Sequence, residues 1–190
     1  MERILFRTGL HAVSLSVLTP DDAEFCTRGM NDSNITQYLL RRFPITVASE
    51  RKWLESLPAQ EMTDQVFGIT VTETEELIGM MGLHSINWIN RTATTGAWIS
   101  SDSCRGKGYG SEAKLLLLDY AFNTLGLRKI SSNVLATNMR SKAYNIKCGY
   151  AVEGIRTKQI YVNGTYVDEV SMAIFKETFE TLWSRYTKNL

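Results

Sequence analysis

The stretch from Trp98 to Ala121 constrains this chain more than any other. A strand-forming run, Trp98-Ile99-Ser100, leads through Cys104-Arg105 into three alternating glycines, Gly106-Lys107-Gly108-Tyr109-Gly110, and then Ser111. Beyond it Ala113, Leu116, Leu117, Tyr120 and Ala121 recur at i, i+3, i+4, i+7 and i+8, the apolar stripe of an amphipathic helix that Gly126 can terminate. Glu112, Lys114 and Asp119 then fall on its polar side. A strand, a glycine-rich turn and a helix in that order make an anion-binding site. Glycines let several backbone N–H groups turn inward, the helix N-terminus adds about half a positive charge, and Arg105 and Lys107 supply full ones. A phosphate or pyrophosphate fits such a turn.

Spacing narrows the choice of ligand. The dinucleotide pattern Gly-x-Gly-x-x-Gly fails, because the glycines alternate, Ser111 takes the third position, and the turn follows a meander and not the first strand of a βαβ unit. Neither Gly-Lys-Ser nor Gly-Lys-Thr occurs, so the Walker A pattern fails as well.

Around the turn the periodicity places further elements. Val13, Leu15 and Val17 alternate with Ser14, Ser16 and Leu18, which predicts a strand with one buried face. Thr19-Pro20-Asp21-Asp22 stops it and opens a helix to about Met30, with Thr19 as N-cap and the aspartates at the positive end of the dipole. Thr46 caps a second helix carrying Val47, Trp53, Leu54 and Leu57 on one side, ended by Pro58. Val66 to Thr72 and Leu77 to Ile86 form an antiparallel hairpin across Glu73–Glu76, and Thr92 to Ser100 completes a meander. Lys129 to Ala136 is a strand, Asn138 to Lys147 a helix with Gly149 in a left-handed cap, and two last strands flank Asn163-Gly164, a strong hairpin signal. The predicted class is α/β (α+β): a mixed, mostly antiparallel sheet of about six to seven strands with about four helices and a parallel crossover.

The 190 residues fit one domain, with a motif-bearing core over about 8–176 and a C-terminal tail over 177–190. Twenty-one Lys plus Arg against 20 Asp plus Glu leave a net charge of +1, so no whole-chain field recruits nucleic acid or an anionic membrane. The longest apolar run, Leu115 to Leu118, is far below the roughly 18 to 20 residues of a bilayer span. The N-terminus lacks a signal-peptide core of about 7 to 15 residues. Cys26, Cys104 and Cys148 have no Cys-x-x-Cys spacing, which argues against a disulfide framework or a metal site and for a reducing cytoplasm. Trp53, Trp88, Trp98 and Trp183 read as core or interface aromatics.

Arg105-Gly106-Lys107-Gly108-Tyr109-Gly110 spells Arg-x-x-Gly-x-Gly, and about 30 residues later Asn138-Met139-Arg140-Ser141 through Lys147-Cys148-Gly149-Tyr150 spells Asn-x-x-Ser and Lys-x-Gly-Tyr. Together these motifs resemble the GNAT superfamily of acetyl-CoA-dependent N-acetyltransferases, over nearly the whole chain. Ile86 to Ala93, Tyr150 to Gly154 and Tyr161 to Asp168 are most similar to the branch of RimJ/RimL-type ribosomal-protein N-terminal acetyltransferases and spermidine acetyltransferases.

The resemblance implies a sheet splayed around acetyl-CoA, which acts as co-substrate without a metal. Arg105, Gly106, Lys107, Gly108, Tyr109, Gly110 and Ser111 would cradle its pyrophosphate, and Trp98, Ile99 and Ser100 would lend backbone groups to the pantetheine arm and the thioester oxygen. Asn138 reads both as a helix cap and as a pantetheine contact. Ser141 reads as a small packing residue or as a proton relay to the thiolate. The tyrosine that many members place four residues before Gly149 is Asn145 here. Tyr144 lies one residue early, about 100° round a helix, and reads as a packing residue as well as a candidate acid. The branch's glutamate after Arg91-Thr92-Ala93 is Thr94. That leaves His84, a residue type whose charge changes near neutrality, as a candidate base, with Glu153 and Asp102 as other carboxylates.

Two acceptors stay open. An α-amine, with an ordinary pKa of about 7.7 to 8.0, needs less help to lose its proton than a lysine-like amine at about 10.4, which suits a protein N-terminus. A polyamine or other small amine would call on Asp21, Asp22, Glu24 and Asp32, residues that also read as helix-capping acids. A non-catalytic acetyl-CoA-binding module is the alternative from another class, and an exposed sheet edge allows a homodimer.

Overall fold

The computed structural model describes residues 3–7, 11–39, 41, 43–100, 104 and 106–188. Among them one sheet of eight strands runs in the order β1-β2-β3-β4-β5-β6-β8-β7. The strands are β1 (Leu5–Arg7), β2 (Val13–Ser16), β3 (Gln65–Val71), β4 (Leu77–Asn87), β5 (Thr92–Ile99), β6 (Lys129–Leu135), β7 (Ala151–Val162) and β8 (Thr165–Phe175). The helices are α1 (Ala23–Asn31), α2 (Ser33–Thr36), α3 (Val47–Ser56), α4 (Tyr109–Asp119), α5 (Met139–Lys147) and α6 (Lys176–Lys188). One more strand and two more helices are present than the periodicity predicts. β1 is three residues long, too short to alternate visibly, and α2 is a single turn. α6 occupies the stretch read as a tail, and its Phe179, Leu182, Trp183 and Tyr186 stand at i, i+3, i+4 and i+7, a helical stripe packed on the main core.

Local chemistry sets most boundaries. The Asp22 carboxylate accepts the Thr19 backbone N–H at 2.8 Å ahead of α1, and Thr46 Oγ1 accepts the Ser49 N–H at 3.1 Å to open α3. Asn163 and Gly164 both have positive φ, 47° and 84°, as the tight turn between β7 and β8 requires. Both faces of β2 are covered, against the one buried face expected: Val13 and Leu15 enter the main core, while Ser14 and Ser16 pair with Thr72 and Thr70 through their hydroxyls at 3.0 and 2.7 Å.

The sheet carries a core on each face. One holds Leu15, Ile69, Met81, Leu83, Leu117, Phe122, Ile130, Met172 and Phe179 under α4 and α6. The other holds Leu18, Leu54, Leu77 and Met80, with Trp53 and Trp98, under α1 and α3.

α4 overturns the expected polar side. Ala113 through Leu118 are all buried, and so are Glu112 and Lys114, 7% and 1% exposed. A helix enclosed on every side cannot show a clean amphipathic pattern. Its two charged residues are instead put to internal use. The Glu112 carboxylate accepts the backbone N–H groups of His11 and Ala12 at 2.9 and 3.0 Å. Asp119 alone keeps to the expected outer role, pairing with Arg7 at 2.8 Å.

Candidate active site

Among the described residues β5 and β6 are the one parallel pair, and they pair over three residues, Thr92 with Lys129, Ala93 with Ile130 and Thr94 with Ser131. Beyond that point β5 follows β4 to Ile99 and β6 follows β8 to Leu135. The sheet therefore forks with its apex at Thr94 and Thr95. Ala97 is exposed although it lies in a central strand. The Ser100 N–H is bound to Ile78 O at 2.8 Å, so alternation along the strand turns the backbone N–H groups of odd-numbered residues, Ala97 and Ile99, toward the fork. Of the expected run Trp98–Ser100, Ser100 thus spends its donor on β4. The Trp98 ring leaves the fork altogether and stacks on Phe25 of α1 at 5.6 Å. Ala97, hidden in the sequence as an ordinary small strand residue, takes its place.

The glycine turn joins β5 to α4. Gly106 and Gly108 adopt φ of +77° and +87°, and a Cβ at either would meet nothing within 4 Å, so it is backbone conformation and not space that requires glycine. Gly108 is the N-cap of α4, and its carbonyl accepts the N–H groups of Ser111 and Glu112 at 2.9 and 3.0 Å. The N–H groups of the first turn have no partner inside the helix, the donor set an anion needs. Lys107 lies over the Tyr109 ring at 5.8 Å. Gly110 sits above Ile99 and Tyr144, which brings the turn, the end of β5 and α5 together. Arg105 and Asp102 lie outside the described residues.

α5 begins at the open side of the fork. Asn138 caps it, its Oδ1 accepting the Ser141 N–H at 3.0 Å. Buried Asn145 donates its amide to Ser141 O at 2.9 Å and to Ser141 Oγ at 3.5 Å. A hydroxyl whose lone pair is engaged has its proton directed elsewhere, so Asn145 orients Ser141. Tyr144 packs instead: its hydroxyl is buried with no hydrogen-bond partner among the described residues, its ring faces Lys114, and burial holds it well above an ordinary tyrosine pKa.

On the opposite sheet face His84 is the cross-strand neighbour of Thr94. Its Nδ1 is 2.9 Å from Asp64 Oδ1, and its Nε2 stands 3.5 Å from where a Cβ on Gly96 would lie. The ring leans over β5 toward the fork, in space that only glycine leaves. Asp64, just before β3, had no sequence signal, because nothing local ties it to residue 84. Glu153 is committed elsewhere, to Lys129 at 2.7 Å. Of the four acids of the first helix region, Asp22 binds Arg3 at 2.7 Å and Asp32 caps α2 through the Asn34 N–H, while Asp21 faces Arg51 at 3.6 Å on the surface and Glu24 is exposed.

A groove of about 600 Å³ opens on the same side, between α1, α2 and the β7–β8 hairpin tip. Asn31, Ser33, Thr36, Gln37, Arg41 and Phe43 are among the residues that line it, with Asn163 from the hairpin; no carboxylate does so among the described residues. No group of three or more His, Cys, Asp or Glu among those residues is arranged to hold a metal ion, and no helix among them is long and apolar enough to cross a membrane.

A forked sheet with a glycine turn on one side and a helix N-terminus on the other offers backbone donors to an extended anionic ligand, an arrangement that an acyltransferase using a coenzyme A thioester can employ. The acetyltransferase (GNAT) domain model matches residues 13–151, and the chain belongs to that family. YdaF of Bacillus subtilis, named as a candidate ribosomal N-acetyltransferase, is 34% identical over 104 residues, 55% of this chain and 56% of the relative. The spermidine N-acetyltransferase of Vibrio cholerae, whose structure holds CoA and spermine, superimposes with a TM-score of 0.80 at 27% identity over 88% of this chain and 98% of that one. RimL, a ribosomal L7/L12 α-N-protein acetyltransferase in complex with coenzyme A, shares the fold at a TM-score of 0.80 and 19% identity, over 93% and 99% of the two chains. The chain is an acetyl-CoA-dependent N-acetyltransferase.

Proposed function

We propose that the acceptor is a protein N-terminal α-amine, which attacks the thioester directly in a ternary complex. The observation that carries this reading is the groove lining: neutral amides, hydroxyls and Phe43, with no carboxylate among the described residues. A polyamine carries several positive charges and needs anionic partners when it leaves water, whereas a peptide backbone is recognised by the amide and hydroxyl groups present here.

In this reading the first turn of α4, with Gly106, Lys107 and Gly108, binds the pyrophosphate, and the end of β5, with the Ala97 N–H, receives the pantetheine arm and the thioester oxygen. Asp64 holds the Nδ1–H of His84, which leaves Nε2 to take the proton from the incoming ammonium. Ser141, oriented by Asn145, returns a proton to the departing sulfur. Tyr144 is left to packing. Functioning as a homodimer belongs to the same reading, because β7 ends the sheet and is exposed along most of its length.

A thermal-shift titration with acetyl-CoA, ATP and NAD, followed by thiol release against N-terminal peptides, spermidine and aminoglycosides, tests it. Stabilisation by acetyl-CoA with thiol release on peptides is the expected outcome. Release on spermidine alone would replace the peptide with a polyamine, the acceptor class of the Vibrio cholerae relative. Stabilisation without release on any amine would favour a binding module.

A further inference from the structure

Lys114 has no part in the machinery above, yet it is among the largest of the fully buried side chains of the described residues. Its Nζ donates to Thr95 Oγ1 at 2.7 Å and lies 5.3 and 5.2 Å from the ring centres of Tyr144 and Tyr150. The groups that face it are Thr95 from β5, Tyr144 from α5, Cys148 at the C-cap of α5, and Tyr150 just before β7. Burial pushes the thiol and both phenols up in pKa, so none of them supplies an anion at neutral pH. A lysine ammonium taken out of water is strongly disfavoured without one, and two aromatic faces and one hydroxyl offset that only in part. A methionine would fill the same volume without the penalty.

The place where this charge is held gives it a use. Thr95 stands at the apex of the fork, and its Oγ1 also lies 3.2 Å from the Tyr150 hydroxyl and 3.3 Å from Ser131 O. The ammonium is thereby fixed behind the point where β5 and β6 part. We propose that Lys114 is a charge-bearing positioning residue for acetyl transfer, its ammonium held by Thr95 so as to stabilise the negative charge that develops on the coenzyme A sulfur. This rests on the reading that places the thioester in the fork. In the transfer the ammonium gives one proton to His84, the neutral nitrogen forms the new C–N bond, the C–S bond breaks with its electron pair on sulfur, and the second nitrogen proton replaces the one Ser141 passes to that sulfur. A fixed cation in a low-dielectric wall acts on that sulfur more strongly than the same charge would in water.

The test titrates CoA bound to the protein and follows the thiolate by its ultraviolet absorbance, in the wild type, Lys114→Met and Lys114→Arg. The expected result is that bound CoA ionises at lower pH than free CoA in the wild type and in Lys114→Arg. In Lys114→Met that shift is lost and kcat falls about tenfold or more, the equivalent of one pKa unit, with KM for acetyl-CoA little changed. Lys114→Gln, which keeps a donor for Thr95 and drops the charge, gives the same reading if Lys114→Met does not fold. A folded neutral variant with wild-type kcat and an unshifted thiolate titration overturns the proposal, and so does a wild type whose bound CoA ionises no more readily than free CoA. Absence of saturable CoA binding to the wild type overturns the placement of the coenzyme itself, and the role of Lys114 with it.

Discussion

At the residue scale, the Lys114 ammonium is held where water cannot reach it. Burial pushes the Lys114 pKa down to about 8 from its ordinary 10.5. Below about pH 8 the lysine is protonated in folded and unfolded chains alike, and the native state carries the full burial penalty, about 3 kcal/mol by linkage. Between about pH 8 and 10.5 the unfolded chain keeps the proton that the folded chain has released, so stability rises with pH across that window. Lys114→Met is therefore expected to melt above the wild type at pH 7, with the difference closing toward pH 10; a pH series of melting temperatures for the two proteins checks this. Ser141→Ala is expected to lower kcat by about 100-fold or more while KM for acetyl-CoA stays close to wild type, since the Asn138 cap on the Ser141 N–H survives. His84→Gln should lower kcat/KM toward a peptide at pH 7 by a similar factor. That deficit should shrink above pH 8, where an α-amine loses its proton unaided, and a pH–rate profile reads it. The Ser141 motif was legible in the chain, and so was the presence of His84. The Asp64 partner was not, because it stands 20 residues away and meets His84 only through strand pairing.

At the element scale, the turn between β5 and α4 is the part of the site most nearly written in local sequence. Gly106 and Gly108 sit at positive φ, a conformation that an L side chain reaches at a penalty of about 1 to 2 kcal/mol. Gly108→Ala is expected to destabilise the protein by about that amount and to shrink the melting-temperature rise produced by acetyl-CoA, as a ligand titration would register. α4 was legible as a helix but not in its surroundings. Periodicity assigns Lys114 and Glu112 to an outer face; β2, α5 and α6, which close over that face, come from distant parts of the chain. α6 is the converse case, since its spacing of Phe179, Leu182, Trp183 and Tyr186 is plain in the sequence, and what the spacing leaves out is the core it packs against.

At the scale of the whole molecule, α6 closes the core that α4 begins. Phe179 is wholly buried and lies 5.3 Å from Phe122 and 5.5 Å from Trp183, centre to centre. Phe179→Ala should lose about 3 to 5 kcal/mol, measurable by denaturant unfolding, and should loosen the backing of α4 on which the anion turn is built. At one edge of the sheet β7 is exposed along most of its length, and light scattering on the purified chain is expected to give a dimer's mass.

The sequence by itself determined what short-range physics controls: the alternation that makes β3, β4 and β5 a meander, the glycines that bend the chain before α4, the Asn138 cap and the Asn163-Gly164 turn. These suffice for the fold class and for the family, because each needs only neighbours along the chain. The tertiary structure alone decided which charges are buried, that the fork opens after Thr94, that Asp64 meets His84 and that Lys114 lies behind the apex. Those outcomes depend on strands and helices far apart in the chain meeting in one register, and the burial that sets the energy of the Lys114 charge exists only once they have met.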